Sequence, residues 1–207
     1  MPVIWCDFGG VLTDPPGRTV AAVAEKCALP PEVLLAACSK VAADFGADGL
    51  APLETGMLDE AEWGRRVTAA LAPDWTPQAD LTRFSELWYA DRTFNRNLFD
   101  AVVARRSGGV RLAMLTNSVL EWEPYRNALV PDPTVFEMVI RSHEHGVRKP
   151  DPRIYALAEH SLGVAAGDCV LIDDSERNCA AAREVGWRAV HYRDDATALA
   201  ELDKILG

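Results

Sequence analysis

The sequence has no long apolar run, no excess of basic residues and no paired cysteine motif, and each absence excludes a class of protein. No stretch reaches the roughly 20 apolar residues that a membrane-crossing helix needs. With 21 basic and 31 acidic residues, the formal net charge of −10 argues against a non-specific nucleic-acid binder. The N-terminus has neither the basic nor the apolar region of a signal peptide. We therefore expect a cytoplasmic protein with no membrane or nucleic-acid partner.

The five cysteines are scattered, and none belongs to a CxxC pair. They are Cys6, Cys27, Cys38, Cys169 and Cys179. This pattern favours buried, reduced thiols over a disulfide framework or a zinc site. The chain of 207 residues, 49% hydrophobic and 25% charged, is long enough for one sizeable core with an inserted subdomain or for two small domains.

From about residue 93 onward, short apolar runs alternate with segments of helical periodicity. We predict strands at 110–116, 136–141, 169–172 and 188–192, and helices at 98–106, 121–129, 151–162, 177–185 and 197–206. Strands that alternate with helices of this length form a parallel sheet with right-handed crossovers. The sequence therefore predicts an α/β fold with a Rossmann-like parallel sheet core flanked by helices.

Residues 17–92 lack this alternation. Candidate helices at 19–29, 31–43, 59–72 and 77–90 follow one another without a convincing strand, and Gly/Pro/Asp clusters at 46–52 and 72–77 separate them. We expect a helical module inserted between the first strand and the rest of the sheet.

The most informative segment lies at the N-terminus. Residues 3–6 form an apolar run that ends in Asp7, and a turn with Gly9 and Gly10 follows. This order places Asp7 at the carboxyl end of a buried parallel strand, where open α/β sheets bind ligands.

Three further segments carry polar residues at a strand end or in a loop. Thr116 and Asn117 end an apolar run, where a hydroxyl and main-chain amides can donate to phosphate oxygens. Lys149 lies in a Lys-Pro-Asp-Pro loop and offers a compact positive charge. Asp173 and Asp174 end another apolar run, and two adjacent buried carboxylates require a cation, for which Mg²⁺ is the usual choice.

These four segments, in this order, resemble the four motifs of the haloacid dehalogenase superfamily, whose first motif is usually Asp-x-Asp-Gly-Thr/Val-Leu. The resemblance covers essentially the whole chain, and the helical insertion matches the small cap of subfamily I. It implies a Rossmann-like core at residues 1–16 and 93–207 and an all-helical cap at residues 17–92. The chain departs from the pattern at one position, because Gly9 stands where most phosphatase members have a second aspartate.

The resemblance also implies roles for these residues. Asp7 is expected to attack phosphorus and form an aspartyl-phosphate, with Lys149 neutralising the charge. Substrate-binding roles fall to Gly9, Gly10, Thr116, Asn117 and Lys149. A Mg²⁺ ion is expected to bind Asp7, the main-chain carbonyl of Gly9, Asp173 and Asp174.

In typical members the second aspartate protonates the leaving group and then activates water. Its replacement by Gly9 should cost on the order of 10²–10⁴ in rate. Glu54 and Asp59, both in the cap and both expected to be exposed, are candidates to supply the missing base.

Three functions remain open on the sequence. The first is a Mg²⁺-dependent phosphatase acting on a small phosphorylated metabolite; the second is a weakly active or inactive protein that binds phosphate or a partner. The third is hydrolysis of a carbon–halogen bond, against which the Asp173–Asp174 pair argues because that reaction needs no metal. Substrate choice would depend on the cap, where five large side chains are candidates to line a pocket: Trp63, Arg65, Arg66, Trp88 and Tyr89.

We further expect the cap to close over the site, with hinges at residues 14–17 and 90–95. The oligomeric state, monomer or homodimer, stays open on the sequence.

Overall fold

The computed structural model describes all 207 residues and contains one five-stranded, fully parallel sheet in the order β3-β2-β1-β4-β5. Its strands are β1 (Val3–Cys6), β2 (Arg111–Thr116), β3 (Met138–Arg141), β4 (Cys169–Asp173) and β5 (Arg188–His191). The predicted α/β class and the parallel sheet are therefore confirmed. The apolar runs at 110–116, 136–141, 169–172 and 188–192 are strands within two residues of their predicted bounds.

Helices cover both faces of the sheet, which explains why its central strands are mostly apolar. All four residues of β1 are buried, and all five of β4 are buried. Because side chains alternate along a strand, Ile4 and Cys6 pack on one face. Val3 and Trp5 pack on the other. A parallel sheet between two helical layers buries both faces, so its central strands have no polar side.

The helices between the strands agree well with the sequence-based bounds. They are α6 (Arg96–Ala104), α7 (Glu123–Leu129), a short α8 (Ser142–His145), α9 (Pro152–Leu162), α10 (Glu176–Glu184) and α11 (Asp195–Leu206). Gly163 ends α9 with a left-handed backbone, φ 62°, a conformation that favours glycine at a helix end.

Five α-helices lie between β1 and α6, and no strand lies among them. They are α1 (Pro16–Lys26), α2 (Pro31–Ala43), α3 (Ala51–Glu54), α4 (Glu60–Leu71) and α5 (Phe84–Tyr89). The helical insertion is thus present, while its treatment as a separate domain at residues 17–92 stays a prediction. The large apolar cluster of the molecule includes side chains from this insertion and from the sheet alike.

Two predictions in the insertion are wrong. The helix expected at 77–90 is only α5, because the preceding segment pairs elsewhere: the Gln78 N–H donates to the Cys27 carbonyl, and the Asp80 carboxylate caps a 3₁₀ turn at Leu81–Arg83. The break expected at 46–52 contains the start of α3. A side chain such as that of Asp80 competes with the helical backbone for hydrogen bonds and favours a helix start.

Helix α4 packs closely against the turn before α5. A Cβ placed at Gly64 would lie 2.1 Å from the main-chain oxygen of Leu81, so only glycine fits there. Near its start, the buried Glu60 carboxylate accepts hydrogen bonds from the N–H and the hydroxyl of Ser85, both at 3.0 Å. These contacts fix α4 against α5.

Two remaining expectations concern whole-chain properties. All five cysteines are buried and free, which confirms the prediction of reduced thiols. None of the helices has both the length and the apolar character that crossing a membrane would require.

Candidate functional site

The carboxyl ends of three neighbouring strands bring the predicted residues to one place. Asp7 directly follows β1, Thr116 ends β2 and Asp173 ends β4. Strand β1 lies between β2 and β4, and the Asp7 N–H donates to the Ile172 carbonyl at 2.9 Å. The edge of the sheet that the apolar runs predicted as a site therefore carries these side chains.

Asp7 has one engaged oxygen and one free oxygen. Its Oδ1 accepts a hydrogen bond from the Phe8 N–H at 2.7 Å and lies 3.0 Å from Lys149 Nζ. The Oδ2 atom accepts no hydrogen bond from the protein. The carboxylate is therefore held in one orientation with an oxygen left to react or to bind a cation.

Lys149 lies behind the carboxylates and is almost fully buried, with 1% of its surface exposed. Its ammonium group lies 2.5 Å from Asp173 Oδ2 as well as 3.0 Å from Asp7 Oδ1. Burial alone would lower the pKa of Lys149, but the negative charges of Asp173 and Asp7 outweigh it and raise that pKa. The lysine is thus a fixed positive charge between two carboxylates.

The two adjacent aspartates have different surroundings. Asp173 is fully engaged: Oδ2 contacts Lys149, and Oδ1 accepts from the Ser175 N–H and the Asn178 amide, both at 2.9 Å. The Asp174 carboxylate is half-buried and accepts no hydrogen bond from another residue. Asp174 is therefore the carboxylate with free lone pairs, whereas Asp173 orients the lysine.

Asp7, Asp173 and Asp174 form an acidic cluster in which one carboxylate oxygen from each residue lies within 4.8 Å of the other two. Burial, together with the charges of Asp173 and Asp174, raises the pKa of Asp7 to about 7, and Lys149 opposes this shift. Burial and the neighbouring Asp173 charge also raise the pKa of Asp174. Like charges at this spacing repel unless a cation separates them, so the donor set fits a hard divalent ion with oxygen ligands.

The turn after Asp7 is shaped by glycine. Gly10 has φ 77°, a left-handed conformation that favours glycine. A Cβ at this position would lie 2.0 Å from Asp174 Oδ2, so the main chain and the Asp174 carboxylate meet here in direct contact. Gly9, by contrast, has φ −72° and ψ 127°, a backbone conformation open to any residue.

Asn117 performs a different task from the one its motif suggested. Its amide donates to the Lys149 carbonyl at 3.1 Å, and its Oδ1 accepts from the Lys149 N–H at 2.9 Å. The Asn117 side chain therefore clamps the lysine loop, which leaves only its main chain for a substrate. Thr116 lies beside it on the cavity wall, buried to 3% exposure.

A cavity of about 190 Å³ opens over Asp7. Its polar wall consists of Asp7, Glu54, Arg92, Thr116, Asn117, Ser118, Asp174, Ser175 and Asn178. Trp88 and Tyr89 line it, as the sequence suggested, together with Trp122, which stacks on Trp88 at 4.9 Å.

The other three candidates for the pocket wall lie elsewhere. Trp63 is buried in the apolar cluster with 1% exposure. Arg65 and Arg66 are exposed and pair with Glu62 on the same helix. Helical periodicity placed these side chains on α4, but it gave no information on which face of α4 meets the cavity.

The two candidates for the missing base, Glu54 and Asp59, lie in different places relative to the cavity. Glu54 lies on the cavity wall and pairs with Arg148, and its side chain is only 12% exposed, so the expectation that it is exposed is wrong. Burial raises the pKa of Glu54, with the Arg148 charge opposing. Asp59 is exposed and caps α4, where its carboxylate accepts from the Glu62 N–H at 2.7 Å. Asp59 is not on the wall.

Arg92 is a charged wall residue that sequence reasoning missed. The sequence placed it only at the end of the predicted cap, within the hinge predicted at residues 90–95. The structure brings it beside residues 13 and 14, with Nε donating to Thr13 Oγ1 at 2.9 Å and Nη2 to the Asp14 carbonyl at 2.8 Å. No local pattern signals this contact, because it joins positions 79 residues apart.

Comparison with known proteins agrees with this arrangement. A family model described as haloacid dehalogenase-like hydrolase matches residues 1–186. The chain therefore belongs to the haloacid dehalogenase-like hydrolases, which confirms the family that the sequence indicated, and it is a hydrolase.

Among curated relatives, the chain is 31% identical to rat bifunctional epoxide hydrolase 2 over 122 residues, which is 57% of this chain and 22% of that protein. It is 28% identical to the pig protein of the same name over 97% of this chain and 38% of that protein. The chain thus spans well under half the length of these relatives. It is also 36% identical over 88 residues to phosphoserine phosphatase from Thermus thermophilus, covering 41% of this chain and 34% of that protein.

Solved structures share the fold over nearly the whole chain. One is a family enzyme from Bacteroides thetaiotaomicron in complex with magnesium and inorganic phosphate (TM-score 0.68, 19% identity, 93% of this chain and 94% of that chain). Another is 2-haloacid dehalogenase from Pseudomonas syringae (TM-score 0.67, 20% identity, 100% and 98%). At these identities the likeness establishes the fold alone.

Proposed function

We propose that this hydrolase is a Mg²⁺-dependent phosphatase that cleaves a small phosphorylated metabolite through an aspartyl-phosphate on Asp7. The observation that carries the proposal is the cluster of Asp7, Asp173 and Asp174 within 4.8 Å, with the buried Lys149 on its inner side. Phosphoserine phosphatase and a sesquiterpene phosphatase among the relatives support a phosphorylated substrate. We also propose that the protein is cytoplasmic and acts without nucleic acid.

The donor set supports magnesium. Asp174 and the free Oδ2 of Asp7 are the carboxylate oxygens without protein partners, and the Gly9 carbonyl is the proposed main-chain ligand. Asp173 would not bind the ion with its engaged oxygens; it would orient Lys149 instead. Bound Mg²⁺ would neutralise the acidic cluster and polarise the phosphoryl group for attack.

In the first step the Asp7 oxygen forms a bond to phosphorus, and the bond from phosphorus to the leaving oxygen breaks. The Thr116 hydroxyl and the main-chain amides of Gly9, Gly10 and Asn117 are proposed to hold the phosphoryl oxygens. Lys149 keeps the attacking carboxylate oriented and offsets its charge. The narrow cavity, with the aromatic side chains on its wall, holds the substrate in place for this step.

In the second step water attacks the phosphorus of the aspartyl-phosphate and regenerates Asp7. No side chain at Gly9 can accept the proton of this water. Glu54 is the only carboxylate from the insertion on the cavity wall, and we propose it as the base. Its ion pair with Arg148 favours the anionic form that a base needs.

The test is hydrolysis of an aryl phosphate by the purified chain with Mg²⁺, comparing the wild type with Asp7→Asn and with Asp100→Asn. Asp100 lies on an exposed face of α6 and is the matched control for charge loss. We expect phosphate release by the wild type and the control and none by Asp7→Asn. Activity that survives in Asp7→Asn would contradict the nucleophile assignment.

Two other outcomes point to the competing functions. If the wild type binds inorganic phosphate but releases none from any ester, while Gly9→Asp gains activity, the protein is a binding module with a degenerate site. If it releases halide from 2-haloacids without metal, it is a dehalogenase.

A further inference from the structure

The space beside Gly9 is bordered by a cation. A Cβ at Gly9 would lie 3.3 Å from Arg92 Nη2, so the guanidinium borders the space where any side chain at Gly9 would begin. Both residues line the cavity over Asp7. The group nearest to this part of the site is therefore permanently charged and, unlike a carboxylic acid, has no proton to give at neutral pH.

Arg92 is fixed in place by its surroundings. It donates to Thr13 Oγ1 and to the Asp14 carbonyl, and its guanidinium carbon lies 5.4 Å from the Trp88 ring and 5.6 Å from the Tyr89 ring. Such contacts hold a planar guanidinium rigidly. Donors that are already oriented cost no reorganisation when charge develops in front of them.

One donor of this rigid group is unused. The guanidinium atom that borders the cavity beside Gly9 is Nη2. Nη2 carries two hydrogens and donates one of them to the Asp14 carbonyl. The second Nη2 hydrogen has no acceptor in the protein, so a ligand oxygen in the cavity can accept it.

The charge balance of the cavity points to the ligand atom. Arg92 is the only basic residue on the wall, where the other charged residues are Asp7, Glu54 and Asp174. Lys149 lies behind the wall and is occupied by Asp7 and Asp173. When the bond from phosphorus to the leaving oxygen breaks in this cavity, Arg92 is therefore the only protein cation on the wall that can face the negative charge of that oxygen.

We propose that Arg92 binds the departing oxygen of the substrate as an anion, so that the enzyme acts on phosphates whose leaving group needs no proton. This inference rests on the proposed phosphatase function. An Asp7 oxygen bonds to phosphorus, the bond to the leaving oxygen breaks, and that oxygen keeps the electron pair and leaves as an anion paired with the guanidinium. The substrate class is that of acyl, enol or aryl phosphates and phosphoric anhydrides, rather than simple alkyl phosphates.

The experiment is kcat/KM for substituted phenyl phosphates with Mg²⁺, from acidic nitrophenols to unsubstituted phenol. The enzymes are the wild type, Arg92→Met, Arg92→Lys and the control Arg65→Met, an exposed arginine away from the cavity. For Arg92→Met we expect a loss that grows along the series, from about tenfold for the best leaving group to about 10²–10³ for phenol. Arg92→Lys keeps the charge and should lie between, and Arg65→Met should follow the wild type.

The outcomes separate the two levels of the proposal. A loss by the same factor for every phenol in both Arg92 variants would mean that Arg92 binds the phosphoryl group or supports the fold, and would overturn this inference while the phosphatase function stands. Full activity in Arg92→Met would overturn it likewise. No turnover of any ester by the wild type would overturn the proposed function and this inference with it.

Discussion

Replacing Lys149 by methionine should destabilise the protein strongly, because it removes the only positive charge in contact with two buried carboxylates. The ammonium lies 2.5 Å from Asp173 Oδ2 and 3.0 Å from Asp7 Oδ1, and the lysine side chain is fully buried. At an effective dielectric constant of about 20, each contact attracts by roughly 5–7 kcal/mol. Desolvation offsets much of this, and breaking a buried ion pair by removing one partner costs about 3–5 kcal/mol.

The assay is urea unfolding at pH 7 without divalent cations, with Lys204→Met, an exposed lysine on α11, as control. We expect the free energy of unfolding to fall by about 3–5 kcal/mol in Lys149→Met and to change little in the control. The double variant with Asp173→Asn should lose less than the single losses predict together, because Asp173 then carries no unpaired charge. A loss below about 1 kcal/mol in Lys149→Met would refute the ion-pair reasoning.

Three further predictions concern the insertion and the metal. Gly64→Ala should lower the free energy of unfolding by about 1–3 kcal/mol, because the new Cβ would lie 2.1 Å from the main-chain oxygen of Leu81. Gly17→Ala is the control, because a Cβ at Gly17 meets open space. An equal loss in both variants in the same unfolding assay would contradict this. Burial and the charges of Glu121 and Glu86 raise the pKa of Glu60, so its ionisation destabilises the fold as pH rises above about 4.5. Glu60→Gln should therefore be more stable than the wild type at pH 7 and lose that advantage below about pH 4.5. A stability difference in thermal unfolding that does not change with pH would argue against this. Chelation by EDTA should abolish aryl phosphate hydrolysis, and added Mg²⁺ should restore it; turnover that persists in EDTA would exclude the metal.

The sequence predicted the sheet and its functional edge because both depend on local patterns. Apolar runs that end in Asp7, Thr116 and Asp173 identify strands and their carboxyl ends together, since the buried strands of a parallel sheet are apolar on both faces. Neighbouring strands then bring those ends together without further information. The family could be identified for the same reason, because each of the four motifs is a local pattern.

What the sequence could not predict depends on how distant segments meet. Arg92 reaches the cavity because its linker runs beside residues 13 and 14, and nothing near it in the sequence indicates this. Asp173 and Asp174 have different tasks because Asp173, and not Asp174, contacts Lys149 and Asn178. The failed helix at 77–90 has the same origin, because its first half pairs with the loop after α1.

The division of roles at the site has a physical consequence for the reaction cycle. In the proposed mechanism, the cation beside Gly9 helps the leaving group depart, but it cannot activate water. The proposed second step therefore depends on Glu54 and should be slower than the first. We expect an enzyme of this kind to accumulate its covalent intermediate during turnover.

The most direct test of the account is to quench the wild-type protein in acid during turnover of an aryl phosphate with Mg²⁺ and map phosphorylation by mass spectrometry. The account predicts one phosphoryl group, on the peptide that carries Asp7, present in the wild type, increased in Glu54→Gln and absent in Asp7→Asn. Steady phosphate release with no phosphorylated peptide in the wild type or in Glu54→Gln would contradict it.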